Sequence, residues 1–253
     1  MTETSAGELE RLRSENERLT KVLEQNVRAS AAKELQLERY AADLRETFKR
    51  ERTRAHQLHD SYIVTVRALS NAVEARDAYT ANHAERVAAY GLALARELEL
   101  ELADDPAIEF GFLLHDVGKV AISDSILHKP GPLTAEERSA MEQHPLIGFQ
   151  IVADVTFLGS AAAVVRSHHE RWDGAGYPDR LSGEQIPLAA RVFAVADVLD
   201  ALTTIRPYRD PMPLAEARAL ICGDRGTHFD PAVIAAFERI PEAKLTAIAE
   251  AGT

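Results

Sequence analysis

Fifty consecutive positions, residues 8–57, contain neither proline nor glycine. A run of that length built largely from Ala, Leu, Glu, Gln, Lys and Arg reads as one continuous helix. Its apolar residues make only a narrow stripe. Leu9, Leu12, Leu19 and Leu23 fall at a and d positions of a heptad, with Asn16 at an a position among them. The same register meets Leu37, Tyr40 and Leu44, while Asn26, Ser30 and Lys33 make the middle of the seam polar. So thin a stripe cannot cover a globular core, and a lone helix gains little without packing. A two-stranded parallel coiled coil buries it, and an Asn at an a position sets a register at a cost in stability. The expectation is a homodimer held through residues 1–57.

From Asp60 onward the apolar faces widen. Val64, Ala68, Leu69, Ala72 and Val73 recur at helical spacing, and further helices are predicted at about 81–99, 105–115, 134–142, 145–154, 160–170, 187–203, 213–221 and 231–239. Pro106, Pro145, Pro187, Pro213 and Pro231 stand where first-turn prolines belong. Thr134 with Glu137 makes a capping box, and Asp230 caps the helix that Pro231 opens. No run alternates with period two for long enough to make a strand. The fold class expected is all-α, with a coiled-coil helix over 1–57 followed by a multi-helix bundle over 58–253. Lys129–Leu133 and Asp173–Pro187 read as loops, and the second is long and glycine-rich.

Charge narrows the function. Residues 1–57 hold 11 acids and 12 bases, the remainder 29 acids and 17 bases. An acidic body speaks against binding a nucleic acid polymer, which needs a basic footprint. A small anion remains compatible, because metal ions and a few arginines reverse the local sign. One cysteine, Cys222, excludes an internal disulfide and a cysteine-based zinc site. The polar, acidic start MTETSAGELE carries no signal peptide, and no stretch approaches the roughly 18 apolar residues of a membrane helix. A cytoplasmic location follows as an expectation.

Histidines and acids carry the chemistry. His115-Asp116 closes the apolar run GFLLHDVGK, His144 sits in MEQHPLIG, His168 and His169 are adjacent in RSHHERWDG, His83 lies in TANHAERV and Asp197 in VFAVADVLDAL. A single histidine beside an apolar run is usually a satisfied core residue. A carboxylate such as Asp197 in an apolar stretch is not so easily set aside, because buried it must be paired, protonated or bound to metal. Imidazole with carboxylate and no thiolate suits Fe, Mn, Co, Ni or Zn. Neighbouring histidines on a regular helix point about 100° apart, so both reach one cluster most easily at a helix end. Seven candidate ligands from five segments point to two metals. His228 reads as a capping or packing residue, and nothing singles out His56, His59 or His128.

These runs resemble the HD-GYP family, the branch of the HD phosphohydrolases that degrades cyclic di-GMP. The matching segments are 76–87, 113–134, 141–148, 168–178, 192–209 and 226–231, in order and with compatible spacing. His115-Asp116 is the HD pair, and Gly176-Tyr177-Pro178 is the signature tripeptide. The resemblance implies one site from His83, His115, Asp116 and Asp197, and a second that shares Asp116 and adds His144, His168 and His169. Some members take a third metal through a glutamate where this chain has Tyr79, so two divalent ions are expected, iron or manganese. Lys119, Arg206 and Arg209 are implied to hold substrate phosphates. Ile205 departs from the acidic residue common before Arg206, which bears on substrate affinity.

The activity so implied is hydrolysis of cyclic di-GMP to linear pGpG or on to GMP, by a hydroxide bridging the two metals. Asp116 and Asp197 would serve that chemistry, and Lys119 would meet the phosphate or protonate the leaving oxygen. Gly118, read as a helix breaker, supports that placing of Lys119. Tyr177 either stacks on guanine or packs beneath its loop, and Trp172 packs. The family also implies contacts between the signature loop and GGDEF proteins that make cyclic di-GMP. Two other readings stay open: a phosphohydrolase of another dinucleotide, and a non-catalytic cyclic di-GMP sensor. The full ligand set speaks against the sensor.

Overall fold

The first helix, α1, spans Glu3–Glu74 in the computed structural model, which describes residues 3–76, 82–98, 105–205 and 210–251. The helix expected to end near residue 57 therefore continues for another four to five turns. The physical reason is plain in the sequence: residues 58–74 contain no proline or glycine either, so the widening apolar face marks a change of packing and not a break. The buried stripe of that last stretch also differs from the expected one. Val66 and Ser70 are buried and Tyr62 and Ile63 half-buried, whereas Val64, Ala68, Leu69 and Ala72 stay exposed. Tyr62 stacks on Phe157 with ring centres 4.4 Å apart, and Ser70 Oγ donates to the Leu113 carbonyl at 2.7 Å. An aromatic and a serine thus mark the packed stripe, and a count of aliphatic residues points to its neighbour.

The chain divides into two compact units, Met1–Ser61 and Tyr62–Thr253. In the first, the seam residues Leu12, Leu19, Leu23, Leu37, Tyr40 and Leu44 are each 57–65% exposed, so nothing among the described residues buries them. The second is a helical bundle. After α1 come α2 (His83–Glu97), α3 (Pro106–Leu113), α4 (Asp124–Leu127), α5 (Ala135–Met141), α6 (His144–Val152), α7 (Gly159–Ser167), α8 (Leu188–Thr203), α9 (Leu214–Gly223), α10 (Pro231–Arg239) and α11 (Glu242–Ala251). A 3-10 turn, Val117–Ala121, follows α3. The all-α class is borne out, and no strand occurs among the described residues beyond one isolated bridge, Arg225 to Phe229.

Caps set the starts of these helices. The Asp105 side chain accepts from the Ala107 N–H at 2.9 Å, Thr134 and Glu137 form the reciprocal box, and Asp230 accepts from Ala232 at 2.7 Å. Each such cap stabilises by about 1 kcal/mol. α11 was not anticipated; its Leu245 is buried, and the short segment lacks a wide apolar face. In the body α2 lies on α8, and α7 packs on both α3 and α6. Phe112, Leu113, Val164, Val165, Phe193 and Leu199 fill the space between. Fully burying side chains of this size contributes about 1.5–3 kcal/mol each. The packing brings the ends of α2, α3, α6 and α7 to one place beside the middle of α8. Among the described residues no helix is long and apolar enough to cross a membrane.

Candidate metal centre

Asp116 sits between two groups of donors. It precedes the 3-10 turn, and its two carboxylate oxygens face different ways. Oδ2 lies 3.1 Å from His115 Nε2 and 2.8 Å from Lys119 Nζ, while Oδ1 lies 3.3 Å from His144 Nε2 and 4.0 Å from His168 Nε2. One group brings together His83, His115 and Asp197; the other is Asp116, His144, His168 and His169, with donor atoms in each group within 4.8 Å of one another. All seven residues singled out in the sequence are thus at one locus. Tyr79, Arg206 and Arg209 lie outside the described residues, and Ile205 is 78% exposed.

Helix ends place these side chains. His83 opens α2, His144 opens α6 ahead of Pro145, and His168 closes α7, so that His169 beyond it can turn into the same space. The rings of His168 and His169 are 4.1 Å apart. Gly118 does not break a helix as expected. It lies inside the 3-10 turn and is buried, and a Cβ there would meet the His144 carbonyl oxygen at 1.9 Å and the Gly148 nitrogen at 2.5 Å. Its role is close approach of two backbones, which sets Asp116 against His144.

The ring orientations follow from backbone bonds. Nδ1 of His115 donates to the Phe112 carbonyl at 2.8 Å, that of His144 to Met141 at 2.7 Å and that of His168 to Val165 at 2.8 Å. These bonds assign the hydrogen of each neutral ring to Nδ1 and leave the Nε2 lone pair bare. His144 Nε2 and His168 Nε2 are 3.1 Å apart beside a carboxylate. Such an arrangement calls for a positive charge between them, carried by a proton or by a cation. A proton on His168 does not provide it, since burial and then the neighbouring histidines hold that ring well below its usual pKa. Burial, then His144, likewise pushes His169 down to about 3. A divalent cation meets the demand, and nitrogen and oxygen donors without sulfur suit a transition metal. The residues present fit such ions.

The carboxylates are held ionised. Burial alone would raise Asp116, but Lys119 and His115 outweigh it and keep the acid well below the usual range. Burial is similarly outweighed at Asp197 by the bond from His83, leaving it at about 2. His83 Nε2 is 3.3 Å from Asp197 Oδ1, and its Nδ1 is 2.7 Å from Asp200 Oδ2. Between two aspartates, and against the effect of burial, that ring rises to about 10. Asp200 in turn accepts from Arg86, at 2.6 Å from Nε and 3.1 Å from Nη2. Neither Asp200 nor Arg86 was singled out in the sequence. The signal was there: Asp200 is three residues past Asp197 in an otherwise apolar helix, and Arg86 three past His83, so each pair shares a helical face.

The glycine-rich loop makes one wall. Tyr177 stacks on His169 with centres 4.7 Å apart, and its N–H donates to the His169 carbonyl at 3.2 Å. At Gly176 a Cβ would meet Arg171 N and His169 O, both at 2.5 Å, so this glycine is needed for contact. Glu170, buried and also missed, accepts from the Asp179 and Leu181 N–H groups at 2.7 and 3.1 Å and pins the loop. Trp172 packs under Arg191, and His228 lies flat on Phe229.

A family model described as "HD domain" matches residues 67–233. The chain belongs to the HD-domain family. It is of the HD-GYP kind that its motifs resemble. It is 44% identical over 168 residues to the 3'3'-cGAMP-specific phosphodiesterase 2 of Vibrio cholerae, covering 66% of this chain and 32% of that protein. It is 42% identical over 177 residues to the cyclic di-GMP phosphodiesterase response regulator RpfG of Xanthomonas campestris, covering 69% and 47%. The chain thus spans a third to a half of the length of these relatives. A solved cyclic GMP-AMP-specific phosphodiesterase of V. cholerae, 21% identical, superposes with a TM-score of 0.54 over 72% of this HD-domain chain and 50% of that one, which supports the shared fold.

Proposed function

We propose that this HD-GYP chain is a metal-dependent phosphodiesterase of cyclic dinucleotides, with cyclic di-GMP as the substrate. The observation that carries this reading is the placing of Asp116, one oxygen toward each histidine group. His83, His115 and Asp197 would hold one divalent ion, His144, His168 and His169 the other, and Asp116 would serve both. Such a pair of ions, iron or manganese, supplies an activated water and neutralises charge building on a phosphodiester. The chain's own residues do the remaining work. Lys119, 2.8 Å from Asp116, brings a point charge to the phosphate or a proton to the leaving oxygen. Tyr177, half-buried with one face on His169, offers its other face to a base. Arg206 and Arg209 take the second phosphate, as bidentate partners.

A second reading has support of its own. Relatives of similar identity carry names specifying either cyclic di-GMP or 3'3'-cGAMP, and the metal groups serve either substrate equally. Parallel turnover assays of both dinucleotides with Mn²⁺ and Fe²⁺ decide between them. Turnover of neither would leave the sensor reading, in which the loop contacts GGDEF proteins.

Lys119→Ala is expected to keep both metals and lower kcat/KM by about ten- to a hundredfold, since a charge-assisted contact contributes roughly 1.5–3 kcal/mol. Metal analysis beside the kinetics checks it; a fall in metal content would make Lys119 a support for Asp116 instead.

The exposed seam of α1 fits a parallel coiled coil between two copies. A chain beginning at Asp60 is expected to retain metals and activity but to be a monomer or a weaker dimer by light scattering. An equally tight dimer would move the interface into the body.

A further inference from the structure

The last turns of α1 reach the segments that carry His83 and His115. Ser70 Oγ donates to the carbonyl of Leu113, the final residue of α3, two positions before His115-Asp116. Glu74 Oε1 accepts from the Ala84 N–H at 2.7 Å, one residue past His83. α2 needs that acceptor: its own N-cap residue, Asn82, sits at φ 58° and makes no side-chain cap bond. A first helical turn without an acceptor leaves backbone donors unpaired. Glu74 supplies the cap from another helix.

Arg76 completes the pattern at the other segment. It donates to the carbonyls of Lys119, Val120 and Ile122 at 3.3, 2.8 and 3.2 Å, and pairs with Asp124 at 2.7 Å. Those carbonyls end the 3-10 turn that Asp116 precedes and that contains Lys119. Residues 70–76 therefore tie down the start of α2, the end of α3 and the turn between Asp116 and Ile122.

We propose that Glu74 and Arg76 are positioning residues of the metal centre: Glu74 fixes the turn that presents His83, and Arg76 fixes the turn that presents Lys119. α1 is then part of the catalytic scaffold as well as an assembly element. This rests on the metal-dependent reading above. The contacts lie at backbone atoms next to the functional residues, so small displacements of the helix end act on the centre without touching a ligand.

The test is Mn²⁺ titration of the full chain, followed by loss of the free-ion electron paramagnetic resonance signal, with thermal unfolding in parallel. The unaltered protein is expected to bind two Mn²⁺; fewer would overturn the metal-dependent reading itself. In Glu74→Ala one of the two steps should weaken by about tenfold, the lower end for residues that orient metal ligands from outside, while the other step holds. Glu74→Gln keeps an oxygen for the Ala84 N–H and should restore both. Val66→Ala, buried on the same helix, should lower Tm and leave both steps alone. Arg76→Ala should keep both metals and lower kcat/KM about tenfold or more, as misplacement of a reacting group does. Two unchanged steps in Glu74→Ala, or the same single-step loss in Val66→Ala, would overturn the role of Glu74. An unchanged kcat/KM in Arg76→Ala would overturn that of Arg76.

Discussion

Asp116→Asn is expected to reduce cyclic dinucleotide turnover by at least about a thousandfold, the upper range for removing one electrostatic group from a reacting centre. The substitution preserves shape and removes charge from the one side chain that faces both histidine groups. Burial does not threaten the native aspartate with protonation, because Lys119 and His115 hold it ionised; the amide has no such charge to lose or share. It turns an N–H toward one histidine group, whose Nε2 atoms then bond to it in place of a cation. Metal analysis should show both positions depleted. An Asp116→Asn protein with two metals bound and full turnover would remove Asp116 from its central role.

Asp200 gives the second large effect, and two substitutions separate its causes. Asp200→Ala leaves Arg86 buried without its carboxylate. Breaking a buried pair from one side costs about 3–5 kcal/mol, and the Asp200 and Arg86 side chains are only 1% and 10% exposed. For a body of this size Tm should fall by about 6–20 °C. Asp200→Asn is milder to the fold, because an amide oxygen still accepts from Arg86. Its NH₂ then faces His83 Nδ1 and turns that atom into an acceptor. A metal on Nε2 requires the ring's one remaining hydrogen to stay on Nδ1, which Asp200 accepts; the amide instead favours the hydrogen on Nε2, toward Asp197, and so blocks the nitrogen needed by a metal. Compared without metal, the Asp200→Asn protein should therefore unfold near the normal temperature, yet it should lose one metal and nearly all activity. Full metal content in both variants would show that His83 needs no partner.

The sequence made the chemistry more legible than the architecture around it. The seven ligand candidates could be picked out because histidines and acids interrupt apolar runs, where each is costly to bury unless it has a partner. The helix starts were legible for a related reason: Asp105, Thr134 and Asp230 cap in the way short polar residues do before a helix. Asp200 and Arg86 escaped notice because two charges more than a hundred residues apart look like any surface groups until α2 is laid on α8. The packed stripe of α1 at Tyr62, Val66 and Ser70 was illegible for a similar reason, since its partner Phe157 lies far along the chain. Gly118 showed itself as a glycine, but only the approach of α6 gives the reason.

Each of His115, His144 and His168 is tied through Nδ1 to a carbonyl three residues earlier. Nε2 of His144 and Nε2 of His168 stand 3.1 Å apart beside Asp116, and the carbonyl bonds keep the rings from turning away. That is local frustration in the sense used for folding landscapes: good contacts everywhere else hold one poor contact in place. The ordering of the rings is completed when the chain folds, so an arriving ion finds its donors already aimed. Loading should accordingly leave the backbone where it is and raise Tm, slowing exchange only of amides that open through global unfolding and of those beside the centre.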